Sequence, residues 1–138
     1  MTLALLYPWI KAVHVAAALM FTGGVVAAGA FLRVSSGATE QVALTAAAFL
    51  RWDRSVTVPA MLLVWVLGIE LAVSGHWVGA GWLVLKIILV VILSAIHGIQ
   101  SGRLRRLSQG IEVRAVVPTW VFVGCVLGVA VLVVVKPF

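Results

Sequence analysis

The stretch GWLVLKIILVVILSAIHGIQ, residues 81–100, decides the fold. It is apolar almost throughout, yet Lys86 sits inside it and His97 follows eleven residues later. At about 100° per residue, eleven positions return a helix to within about 20° of the same direction. Lys86 and His97 therefore share one stripe of one very hydrophobic helix. An ionisable group at membrane depth costs at least about 2.5–3.5 kcal/mol and usually faces a protein interior or a functional site. What faces that stripe is the best guide to function.

The rest of the chain repeats the pattern. Of 138 residues, 64% are hydrophobic and 10% are charged, and the mean hydropathy is +1.22. A soluble domain of this size carries about 25% charged residues. A bilayer is the solvent this composition fits. A spanning helix needs about 20 apolar residues, so the sequence predicts an all-α, single-domain membrane bundle over residues 1–138. The spans are expected at about residues 7–32, 56–73, 78–100 and 115–135, running up-down-up-down. Pro59 and Pro118 fall near the starts of the second and fourth, where a missing N–H costs least. The first run lacks a charged segment before it and is read as a retained helix rather than a removed signal, despite Ala28-Gly29-Ala30. Gly24 with Ala28, and Gly124 with Gly128, have the spacing that lets helices approach closely.

Net charge is +6, but the basic residues flank apolar runs and give no nucleic-acid signal. Arg33, Arg51 and Arg54 lie between the first two spans, and Arg103, Arg105, Arg106 and Arg114 between the last two. The link Ser74-Gly75-His76-Trp77 has no Lys or Arg. The positive-inside rule then predicts both Arg-rich connections in the cytoplasm and both termini outside, the membrane being the bacterial inner membrane. Each terminal region adds one lysine, Lys11 and Lys136. Thr39 is expected to cap a short amphipathic helix at the cytoplasmic interface, with Val42, Ala46 and Phe49 or Leu50 on one face. Trp9, Trp52, Trp77 and Trp82 fall near predicted boundaries and read as interfacial anchors. Cys125 has no partner in the chain, so no intrachain disulfide is possible.

At about 1.5 Å per residue, His14 lies roughly 8–10 Å, Lys86 roughly 10–12 Å and Glu70 roughly 5 Å from the outer ends of their helices. They come from three helices and share one layer. His97 lies about 16 Å below Lys86, close to the arginines. The first and third spans run parallel and would sit diagonally in an up-down bundle. Diagonal helices can hold a porphyrin with one axial ligand from each, here the His14 imidazole and a neutral Lys86 amine. The alternative is that Lys86 pairs with Glu70 while His14 hydrogen-bonds a carbonyl. The three histidines and one cysteine form no zinc signature. Three methionines make no copper path, and there is no phosphate loop or nucleophile motif.

The stretches YPWIKAVH (7–14), VTVPAMLL (56–63), WLVLKIILVVILSAIHG (82–98), RLRR (103–106) and VVVKPF (133–138) together resemble the HemJ-type protoporphyrinogen oxidases. They also resemble the broader CopD-like group of small four-helix membrane proteins. The resemblance covers most of the chain apart from residues 34–50. It departs from the family pattern at GAFLRVSSGATE (29–40) and at Val84-Leu85, where a histidine is usual. It implies a haem b protein that oxidises protoporphyrinogen IX to protoporphyrin IX without bound flavin. The family's motif histidine and lysine fall on His14 and Lys86, the implied axial ligands of the iron. The family's later helix-three histidine falls on His97.

An enzyme of this kind would pass electrons to quinone or another membrane acceptor. His97 and Arg54 would serve the reaction. Arg103 and Arg106, with Arg51, offer guanidinium groups for porphyrinogen propionates, and Glu70 completes the cofactor layer. The other readings are a haem protein that only transfers electrons, a CopD-like copper import protein and a non-catalytic membrane subunit. The bilayer is the one partner composition demands, nucleic acid is not expected, and a homo-oligomer is left open.

Overall fold

The computed structural model describes residues 3–35, 37–114 and 117–135. They form helices α1 (Leu3–Val34), α2 (Glu40–Trp52), α3 (Val58–Ser74), α4 (Gly81–Ser108) and α5 (Thr119–Val135), and there is no strand among them. One π-helical turn, Asp53–Thr57, joins α2 to α3 without a break. Four helical rods result, as the hydrophobic runs predict. Three are long and apolar enough to cross a membrane: α1, the continuous Glu40–Ser74 rod, and α4. The fourth, α5, is apolar but has 17 residues, fewer than the about 20 that a span needs. Ala115, at the start of the fourth predicted run, and Lys136, just past its end, lie outside the described residues.

Residues 33–55 differ most from expectation. Thr39 does cap α2, its Oγ1 accepting the Val42 N–H at 3.3 Å. Ala46 is buried, and Val42, Phe49 and Leu50 pack around it as the pattern predicts. The helix does not stop there to lie apart from the second span. It runs into it, and the reason is Pro59. A proline ring presses on the carbonyl four residues back and supplies no N–H. The chain absorbs this by widening just upstream, where the Val58 N–H bonds the Asp53 carbonyl five residues earlier. Such π-turns are rare and often lie at functional sites.

The third predicted span also extends further. No helix breaker interrupts RLRR, so α4 carries Arg103, Arg105 and Arg106 as helical residues rather than loop residues. Leu104 and Leu107 bury one side of this extension against Ala28, Leu32 and Ala46. Gly110 ends the helix at φ +76. The Gly110 N–H bonds the Leu107 carbonyl and the Ile111 N–H bonds that of Arg106, both at 3.0 Å, the paired closure that a left-handed residue permits.

α1 is the central rod and packs against α3, α4 and α5. It therefore neighbours α4 directly instead of facing it across a diagonal. The main core joins Phe21 and Val25 of α1 to Val64 of α3, Leu93 of α4 and Phe122 of α5. Cys125 is buried in the same core and free. The second cluster, around Ala46 and Leu104, lies toward the arginine-bearing ends.

Candidate functional site

Tyr7, Lys11 and His14 recur at a spacing of four and three, which puts them on one face of α1. That face lines a cavity of about 270 Å³ closed by α3, α4 and α5. Gly68 and Leu71 of α3 and Lys86 of α4 line it as well. The structure thus brings His14 and Lys86 to one cavity. His14 is only 8% exposed, and its Nδ1 has no hydrogen-bond partner among the described residues. The ring rests on Gly68, where an added Cβ would lie 3.2 Å from His14 Cε1. A glycine here leaves room for an imidazole that the rest of the helix would crowd.

The mouth of the cavity is aromatic. α3 closes with His76 at φ +53, and the Trp77 N–H returns to the Ala72 carbonyl at 3.0 Å. This turn folds Trp77 back over Gly75 and onto Trp82, the ring centroids 5.5 Å apart at 63°. Both tryptophans line the cavity, and Trp82 is buried. The tight turn aims Trp82 inward, so it does not project outward as an anchor would, while Trp77 is half-buried against it; Trp9 and Trp52 are exposed.

Glu70 lies on the same turn of α3 as Gly68 and Leu71 but does not line the cavity. It is exposed, and its Oε1 accepts the Ser74 hydroxyl at 2.8 Å. Gly68 takes the inward position on that turn of α3, and Glu70 lies about 200° around from it. Lys11 and Tyr7 were legible only through their spacing to His14 along one helix face.

His97 belongs to a different site. It is buried beside the π-turn, with Nδ1 at 3.4 Å from Asp53 Oδ1 and its ring edge-on to Phe21 at 5.7 Å. The Ser101 hydroxyl donates to the other Asp53 oxygen at 2.9 Å. A carboxylate beside Nδ1 favours the tautomer protonated there, which leaves Nε2 as the acceptor or ligand atom. Asp53 was missed because residues 33–55 read as a loop. Its signal was the period itself, since Ala46, Phe49 or Leu50, and Asp53 fall on one helical stripe.

The arginines line neither His14 nor His97. Arg51, Arg54 and Arg106 are exposed. Arg103 borders a void of about 10 Å³ beside Gln100, whose amide nitrogen and oxygen have no partner among the described residues. Among those residues no three His, Cys, Asp or Glu side chains converge as a metal site. The chain therefore offers two separate polar centres, an imidazole and an amine on one cavity and a carboxylate–imidazole pair at the π-turn. No protein-family model, curated protein or solved structure matches this chain.

Proposed function

We propose that this is an integral membrane protein that binds haem b between His14 and Lys86 and works as an oxidoreductase of the protoporphyrinogen oxidase type. In this reading the four rods cross the bacterial inner membrane up-down-up-down, with both termini outside. The observation that carries the proposal is the placement of His14 and Lys86, from two helices, on one cavity with the imidazole Nδ1 unpartnered. Burying a polar atom without a partner is costly, so a ligand that engages the ring would repay it.

The donor chemistry fits haem. An imidazole is a common axial ligand, Gly68 gives it space, and Tyr7, Trp77 and Trp82 supply aromatic walls. The volume of about 270 Å³ lies just below the about 300–1,000 Å³ usual for small-molecule sites. Admitting a macrocycle therefore requires α3 and α4 to part. These two are linked by the Trp65 Nε1–H bond to Ser94 Oγ at 3.2 Å, and their backbones are not closely packed. When bound, haem would supply a one-electron acceptor to a porphyrinogen and a route onward to a membrane acceptor.

The chain's own residues do the rest. His14 of α1 and Lys86 of α4 would hold the iron. Lys11 is a second cation on the same cavity and takes the propionate role that Arg54, Arg103 and Arg106 are not placed to fill there. Oxidation releases protons, and His97 can accept one at Nε2 while Asp53 steadies the resulting charge at Nδ1.

Protein purified in mild detergent should show a Soret band and reducible α and β bands. His14→Ala should lose most of the haem, Lys86→Met should alter the reduced spectrum, and His97→Ala should keep haem but slow turnover. Rescue of a strain lacking protoporphyrinogen oxidase tests the substrate. A colourless protein, or haem lost only in His97→Ala, sinks the assignment.

A further inference from the structure

On the other side of α1 from the main core lies an open groove of about 540 Å³. One wall is α1 at Gly23, Gly24 and Ala27, which present almost no side chain. The facing wall is Phe49 and Trp52 of α2. Phe49 is held in place by stacking on Phe31, centroids 4.7 Å apart at 11°. The slot between a bare helix face and two aromatic rings suits a flat ring. A Cβ at Gly23 would meet nothing within 4 Å, so the space there is open.

Among the described residues, Asp53 is the one ionisable residue on the groove lining. It is only 5% exposed. A carboxylate can accept about four hydrogen bonds. Ser101 supplies one, and His97 stands at 3.4 Å from the other oxygen. The remaining acceptor capacity calls for a donor from the groove. A cation entering from an apolar phase would pay heavily for its own desolvation. A neutral hydroxyl on a flat apolar ring satisfies the carboxylate without that cost.

We infer that this groove binds a quinol headgroup, one ring hydroxyl donating to Asp53 and the ring lying between α1 and the Phe49–Trp52 wall. Leu19 lines both this groove and the His14–Lys86 cavity, so the two sites are separated by little more than the thickness of α1. On the haem reading, quinone would take up two electrons and two protons from the porphyrinogen and leave this groove as the quinol it holds; that role rests on the haem reading, whereas the binding itself does not.

The test is titration of the purified protein in detergent micelles with decylubiquinol, followed by tryptophan fluorescence, with Trp52→Phe identifying the reporter. The expected result is saturable quenching that is largely lost in Trp52→Phe. Decylubiquinone, which has no hydroxyl to donate, should bind several-fold more weakly. Asp53→Asn should weaken quinol binding by about tenfold or more, as befits a hydrogen bond to a charged group. Gly23→Leu, whose Cβ would meet nothing within 4 Å, puts a side chain into the slot and should abolish saturable binding at a nearly unchanged melting temperature. Quenching that never saturates, or wild-type binding in Gly23→Leu, overturns the inference and leaves the groove to lipid chains. A quinol-binding protein with no haem would sink the haem reading alone. A haem protein with no saturable quinol binding would sink this one alone.

Discussion

A methyl group added at Gly24 would lie 2.8 Å from Thr57 Cγ2 and closer still to Thr57 Oγ1. Here the bare backbone of α1 meets the Thr57 side chain of the π-turn directly. Intrinsic propensity alone would make Gly24→Ala stabilising by about 1 kcal/mol. Overpacking of this kind costs about 1–3 kcal/mol, and we expect the cost to win. Thermal unfolding in detergent should show a lower midpoint for Gly24→Ala and partial recovery when Thr57→Ala is added. A single mutant as stable as the parent would mean that the contact relaxes freely. At this scale the sequence was partly legible. Gly24 had packing spacing, and the inward side of α4 was marked by Lys86 and His97. The partner of His97 was not visible, because the carboxylate of Asp53 reaches it only once two apparently separate segments join into one rod. Glu70 misled in the opposite sense, since charge within an apolar run says nothing about which face carries it.

The joint between α2 and α3 sets the register of everything that Asp53 touches. Its extra residue turns α2 relative to α3, so Ala46 meets Leu104 and Leu107 while Val64 still meets Phe21. Deleting Ser55, an exposed residue whose hydroxyl returns only to the backbone carbonyls of Arg51 and Trp52, would restore ordinary α spacing. It would rotate α2 by about 100° and carry Ala46 off its partners. The deletion should therefore lower the melting temperature strongly, whereas Ser55→Ala should leave it nearly unchanged. Equal behaviour of the two would show that the widened turn does not set the packing. The apolar period revealed both helices, and Thr39 revealed the start of the first. Pro59 was read as a beginning when it lies within a longer rod. A proline marks where the hydrogen-bond ladder is disturbed, not whether the chain ends its helix there. The same limitation hid the continuation of α4, whose buried Leu104 and Leu107 were masked by the arginines around them.

For the molecule as a whole, the rods predict where each end lies. Val78 precedes α4 and Gln109 follows it, separated by 28 helical residues, or about 42 Å. The exposed arginines cluster near the Gln109 end, and the Val78 turn has none. With Cys125 replaced by alanine, an impermeant maleimide should label Val78→Cys in intact cells and Gln109→Cys only after permeabilisation. Labelling of both from one side would overturn the orientation. The number of rods was legible because each is a long apolar run; their arrangement around α1 was not, because outward-facing and helix-facing residues are equally apolar. The two clusters described above have a consequence of their own. The hydrophobic effect acts only where water is the alternative, and lipid tails offer none. In the proposed bilayer setting the Phe21–Leu93 cluster would be held by close fit, while the Ala46–Leu104 cluster, beside the arginines, would be held by exclusion of water. Urea attacks the second kind of cohesion directly and the first hardly at all. So placed, the arginine-bearing storey should loosen first under chaotropes while the tier that holds His14 endures, the continuous helical rods carrying the strain from one to the other.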